Sequence, residues 1–258
     1  MELRIYEKAP GREAGGRRAR RWRAWRPGWL AEFERWAGLA AEPERAAEQE
    51  RSLVPVAVLL GLALLGQVAQ YAIPEVRAYL EQGNVDYRAS WIGFTLLKQW
   101  ALFLLMLVAL RTKEERLESV GFPPMDFRRL MLGFLLVVFS LGAALLHRPD
   151  AMDSWLVPYW PGERALWVVL AGTAAVVEES FFRGFAIVWL YRWSGHLPLA
   201  VVFPALIFAA GHGYLGWANV VVAFGLALGF SGLFLWRRDL YWPMVLHFLI
   251  NVAGLVVV

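Results

Sequence analysis

Seven apolar runs, at about 52–73, 91–110, 129–147, 165–191, 197–215, 217–236 and 241–258, leave this chain few ways to fold. Each is close to the ~20 residues that a helix needs to cross ~30 Å of hydrocarbon. A backbone in hydrocarbon must satisfy its own hydrogen bonds, so uninterrupted runs of this length form helices. The expected fold class is therefore all-α, a polytopic transmembrane helix bundle of about seven spans. Composition agrees: 59% of residues are hydrophobic, 19% are charged, and the mean hydropathy is +0.45. The fourth run is long and the fifth and seventh are short, so tilts, kinks or partial spans are expected there. With no cysteine, disulfides, thiolate catalysis and cysteine-ligated metals are excluded.

Ahead of the first run lies a charged, Trp-rich segment, residues 1–51, in which Arg17 to Arg26 reads RRARRWRAWR. Such a run suits nucleic acid or a membrane surface. The membrane surface fits better, because Trp22, Trp25, Trp29, Phe33 and Trp36 recur at steps of three and four just before the first span. Pro27 and Gly28 break the run, which predicts a basic arm followed by an amphipathic helix from about Pro27 to Ala41. Lipid headgroups are the expected partner of this segment, and nucleic acid is not. Nothing at the start resembles a signal peptide. With the amino terminus placed in the cytoplasm, twenty Lys and Arg fall on that side and only Arg77, Arg88, Arg148 and Arg164 on the other. That asymmetry predicts an integral protein with a cytoplasmic amino terminus. The Arg, Ala and Leu bias suggests a bacterial cytoplasmic (inner) membrane.

Two cations fall inside spans. Lys98 lies near one end of its run and is expected to extend its ammonium to the interface. Arg183 belongs to a denser group, since the fourth run places Glu178, Glu179 and Arg183 near its middle. An ionised side chain at the bilayer centre costs about 2.5–3.5 kcal/mol even on the lenient scale. Glu179 and Arg183 are four apart on one helical face, where an ion pair neutralises both. Glu178 is turned about 100° away and has no obvious local partner.

Further polar residues punctuate the later runs: His212, four after Phe208, and Asn251, four after His247. At about 1.5 Å per residue, Glu178, His212, His247 and Asn251 fall within a slab about 10 Å thick. A shared depth suggests that they meet around one bound molecule. His147 and His196 sit at run ends and are read as interface residues. Gly225 and Gly229 form a small-residue pair that would admit a close helix neighbour.

Amide hydrolysis needs a base for water, a proton donor for the leaving nitrogen and donors for the oxyanion. Glu178 suits the first role, His212 could hold the water and relay its proton, and His247 and Asn251 offer donors. Two histidines and a glutamate also match a catalytic zinc site, although HExxH is absent. A structural polar knot, or a proton carrier in a non-enzymatic immunity, scaffold or transport protein, uses the same residues.

The motifs Glu178-Glu179-Ser180-Phe181-Phe182-Arg183, Phe208-Ala209-Ala210-Gly211-His212 and His247-Phe248-Leu249-Ile250-Asn251 resemble the EExxxR, FxxxH and HxxxN signature of the CAAX-protease and bacteriocin-processing family. The resemblance covers roughly residues 165–255. It implies a glutamate-type intramembrane endopeptidase in which Glu178 and His212 activate water and His247 with Asn251 form the oxyanion site. Glu179, Arg183 and Phe208 support it, no cofactor is obligatory, and zinc is the minority alternative. The implied substrate is a membrane-associated protein or peptide, reaching a cavity open to the cytoplasm. Residues 165–258 would then be the catalytic core and 52–147 accessory helices.

Overall fold

The computed structural model describes residues 28–37, 42–72, 88–122, 124, 126–146, 161–213 and 217–256. The basic run Arg17 to Arg26 and His147 lie outside them. The described residues are helical, with no strand among them. In chain order the helices are α1 (Gly28–Trp36), α2 (Glu42–Ala72), α3 (Arg88–Thr112), α4 (Phe127–Leu146), α5 (Pro161–Glu178), α6 (Val188–Ser194), α7 (Leu197–Ala210), α8 (Trp217–Arg237) and α9 (Tyr241–Val256). A 3-10 turn, Leu117–Val120, follows α3, and a π-helical segment, Glu179–Ile187, joins α5 to α6.

Among the described residues, three stretches are long and apolar enough to cross a membrane: Ile92–Thr112, Ala165–Ser194 and Trp217–Arg237. Leu53–Val68, Leu197–Ala210 and Tyr241–Ala253 are shorter apolar helices. The fifth expected span is cut short, because α7 ends at Ala210 and Gly211 and His212 form a turn beyond it. The outward faces are apolar, as in Phe134, Phe139, Leu97 and Val221, all well exposed. Lipid is the solvent that tolerates such a surface, and the chain is an integral membrane protein.

The rod formed by α5, the π segment and α6 is the centre of the bundle. α5 packs against α3, α4 and α9, the π segment against α7, and α6 against α2 and α7. All nine residues of the π segment are buried. Phe181, Phe182, Phe185 and Trp189 make a continuous aromatic ladder there, with Phe185 and Trp189 rings 4.6 Å apart.

Two glycines let the turn after α3 press into this rod. Gly121 has φ +90°, and its carbonyl accepts a hydrogen bond from the Leu240 N–H at 2.8 Å. A Cβ on Gly184, in the π segment, would stand 2.5 Å from the Val120 carbonyl oxygen. Side chains larger than hydrogen at Gly184 therefore collide with backbone. The Gly225 and Gly229 pair has no such role, since a Cβ on either meets nothing within 4 Å and both are exposed.

The helix expected on the membrane surface is instead laid against the bundle. Phe33 and Ala37 are fully buried, and Phe33 packs on Tyr191 and Trp36. Tyr191 donates its hydroxyl to buried Glu34 at 2.6 Å. Arg192 donates Nε to the Ala37 carbonyl at 2.8 Å and Nη1 to Glu115 at 2.6 Å. Trp29 is half exposed.

Candidate active site

The π segment carries the first motif. A π-helical turn bonds i to i+5 and widens the helix locally, and such turns concentrate at functional sites. Here it starts at Glu179, immediately after the last α-helical residue, Glu178. The two adjacent carboxylates point into different surroundings. Glu179 is fully buried and Glu178 is partly buried.

Glu179 forms the expected ion pair, its Oε1 accepting Arg183 Nη1 at 3.0 Å. The same oxygen also accepts Nδ1–H of His247 at 2.7 Å. A buried carboxylate flanked by a guanidinium and an imidazole N–H is compensated in a way that a lone one is not. The Arg183 guanidinium lies 4.5 Å above the Phe208 ring and 5.4 Å from that of Phe230. His247 stacks on Phe230 at 5.6 Å and meets Phe208 at 6.1 Å. Phe208 thus forms a wall shared by Arg183, His247 and, at 4.8 Å, His212.

The partner of Glu178 comes from another helix: Gln99 on α3 donates Nε2–H to Glu178 Oε1 at 2.8 Å. Its other oxygen, Oε2, faces His247 Nε2 at 3.9 Å. That distance is beyond a hydrogen bond, so the two groups face each other unbonded. Since Nδ1 of His247 is committed to a carboxylate, Nε2 is the nitrogen presented to Glu178.

His212 sits in the turn after α7 rather than within a span. Its Nδ1 lies 3.0 Å from the Phe208 carbonyl oxygen, which can only accept. Nδ1 therefore carries the proton in the neutral ring, and Nε2 is left as the basic nitrogen. Glu178, His247 and Lys98 all lie close enough to His212 to act on its charge. Asn251 is one turn beyond His247 on α9, partly buried, and takes no part in the hydrogen-bonded chain among the described residues. His196 caps the start of α7 in an exposed position.

Lys98 is not extended to the interface. It donates Nζ–H to Gln67 Oε1 at 3.0 Å, and Gln67 in turn packs on Gly211, next to His212. Gln67 and Gln99 are the residues that reading the sequence missed. An uncharged polar side chain inside an apolar run at the depth of Glu178 was the available signal, and both meet it.

No group of three His, Asp or Glu side chains is gathered as a metal-ligand set among the described residues. His247 spends one nitrogen on Glu179, His212 spends one on a backbone carbonyl, and the acids lie on one stretch of helix.

No curated protein and no solved structure matches the chain. The family described as Type II CAAX prenyl endopeptidase Rce1-like does, over residues 160–253. That stretch contains α5, the π segment and α6 to α9, and with them all three motifs. Residues 160–253 are thus similar to the Rce1-like family, in keeping with the resemblance that the three motifs carry.

Proposed function

We propose that the protein is an intramembrane endopeptidase that hydrolyses a peptide bond in a membrane-associated protein or peptide, with Glu178 as the base for the attacking water. One observation carries this reading. Glu178 has one oxygen held by Gln99 and the other turned toward the imidazole of His247 inside a lipid-embedded bundle. The Rce1-like match over the same residues supports the reaction class.

Glu178 takes a proton from water as the water oxygen bonds to the scissile carbonyl carbon, and the carbonyl π electrons move to its oxygen. His247 Nε2, when the ring carries both protons, and the Asn251 amide donate to that oxyanion. When the carbonyl re-forms, the carbon–nitrogen bond breaks. As that bond breaks, the proton held by Glu178 passes to the leaving nitrogen by way of His212 Nε2, and the nitrogen departs as a neutral amine. Glu179 and Arg183 hold His247 in place and neutralise one another.

The basic arm Arg17 to Arg26 would bind anionic headgroups on the cytoplasmic side of a bacterial inner membrane. The reading needs no metal. The experiment is comparative proteomics of membrane fractions from cells carrying the wild type or Glu178→Gln. Expected is a shortened membrane-associated protein or peptide in the wild type that stays full-length in the variant at equal enzyme level. Identical proteomes, with the cellular role intact, point to the non-enzymatic alternative.

A further inference from the structure

We propose that Gln99, on a helix outside the Rce1-like residues, is the positioning residue of Glu178, fixing which carboxylate oxygen faces the histidines. This rests on the endopeptidase reading above. α3 packs directly against α5, and Gln99 is 5% exposed. A carboxylate only accepts, so the amide must present Nε2 to Glu178, and its own Oε1 is turned elsewhere. That Oε1 is buried without a partner, as is the hydroxyl of Thr95 one turn earlier.

An amide that leaves its acceptor unpaired is a poor choice for gluing two helices together in lipid, where an aliphatic side chain would pack without that penalty. It is a good choice for holding a base. A neutral donor anchors Oε1 without cancelling the charge, as an arginine or lysine in contact would, and leaves Oε2 directed at His247 Nε2 across 3.9 Å. On the neighbouring side Lys98 donates to Gln67, so α2 and α3 also bring polar groups up to Gly211 and His212. The helices called accessory therefore complete the site.

The test uses the full chain in liposomes, with a fluorogenic farnesylated CAAX-sequence peptide as probe. Gln99→Met keeps the length of the side chain and removes the donor. It is expected to lower kcat about 10- to 100-fold, the scale of a misplaced catalytic group, with KM and melting temperature close to wild type. Thr95→Val, on the same face and with a hydroxyl that bonds no partner among the described residues, is expected to keep wild-type kcat. A kcat for Gln99→Met equal to wild type overturns the proposal. So does an equal loss in Thr95→Val, or a loss matched by unfolding.

A second readout needs no substrate. Labelling of Glu178 by a hydrophobic carbodiimide, read by mass spectrometry, is expected to rise several-fold in Gln99→Met while Glu179 labelling stays constant. Unchanged Glu178 labelling overturns the proposal even if no probe is cleaved. Cleavage that persists in Glu178→Gln defeats the endopeptidase reading instead, so the two failures are distinct.

Discussion

His247 gives its Nδ1–H to Glu179 Oε1 at 2.7 Å, joining two residues 68 positions apart in the sequence. Arg183 Nη1 reaches the same oxygen at 3.0 Å. One carboxylate therefore fixes an imidazole on α9 and balances a guanidinium in its own helix. The neighbouring Glu178 lies outside this knot, accepting a hydrogen bond from the neutral Gln99 amide on one oxygen and facing His247 with the other. On the proposed reading, the adjacent acids divide the work: Glu179 builds the site and Glu178 acts in it.

Replacing Glu179 by Leu should be severe, because it leaves the buried Arg183 charge uncompensated. Loss of one partner of a buried pair costs about 3–5 kcal/mol. Thermal unfolding in detergent should show a large drop for Glu179→Leu and a smaller one for the double variant Glu179→Leu/Arg183→Met, which removes both charges.

Gly184→Ala tests the close approach of the turn after α3. The added methyl would meet the Val120 carbonyl oxygen at 2.5 Å and a Leu240 methyl at 3.0 Å, and the backbone oxygen cannot swing aside. Overpacking of this kind costs about 1–3 kcal/mol, which a melting curve resolves. An unchanged curve would mean that the turn is free to move.

Phe208→Leu removes the ring under the Arg183 guanidinium while keeping an apolar side chain. A cation–π contact of this kind contributes about 0.5–2 kcal/mol, so stability should fall by that order. Turnover should fall further, since both His212 and His247 lean on the ring.

Tyr191→Phe leaves Glu34 buried without its hydroxyl donor. A hydrogen bond to a charged group contributes about 1.5–3 kcal/mol, and the loss should fall on the seating of α1. Hydrogen exchange across residues 28–37 should quicken while the π segment is unaffected.

The all-helical, membrane-embedded character was legible because hydrocarbon leaves a long apolar run only one way to bond its backbone. The Glu179–Arg183 pair was legible for a similar reason, being a local four-residue spacing. Contacts between distant helices were not. Nothing in the fourth run tells that Gln99 reaches Glu178, or that Lys98 turns inward to Gln67, because helix rotation is set by packing rather than by hydropathy. The π segment escaped because no proline or glycine pattern marks it. The docking of α1 escaped because an amphipathic face reads alike whether it meets lipid or protein.

The central claim is that Glu178 activates water for peptide hydrolysis. Cleavage of the membrane-associated substrate found by comparative proteomics, by purified, reconstituted wild type and Glu178→Gln, each with and without a metal chelator, tests it most directly. The account predicts cleavage by the wild type in both conditions and none by the folded variant. Cleavage by Glu178→Gln at the wild-type rate, or abolition of wild-type cleavage by the chelator with recovery on adding zinc, would contradict it.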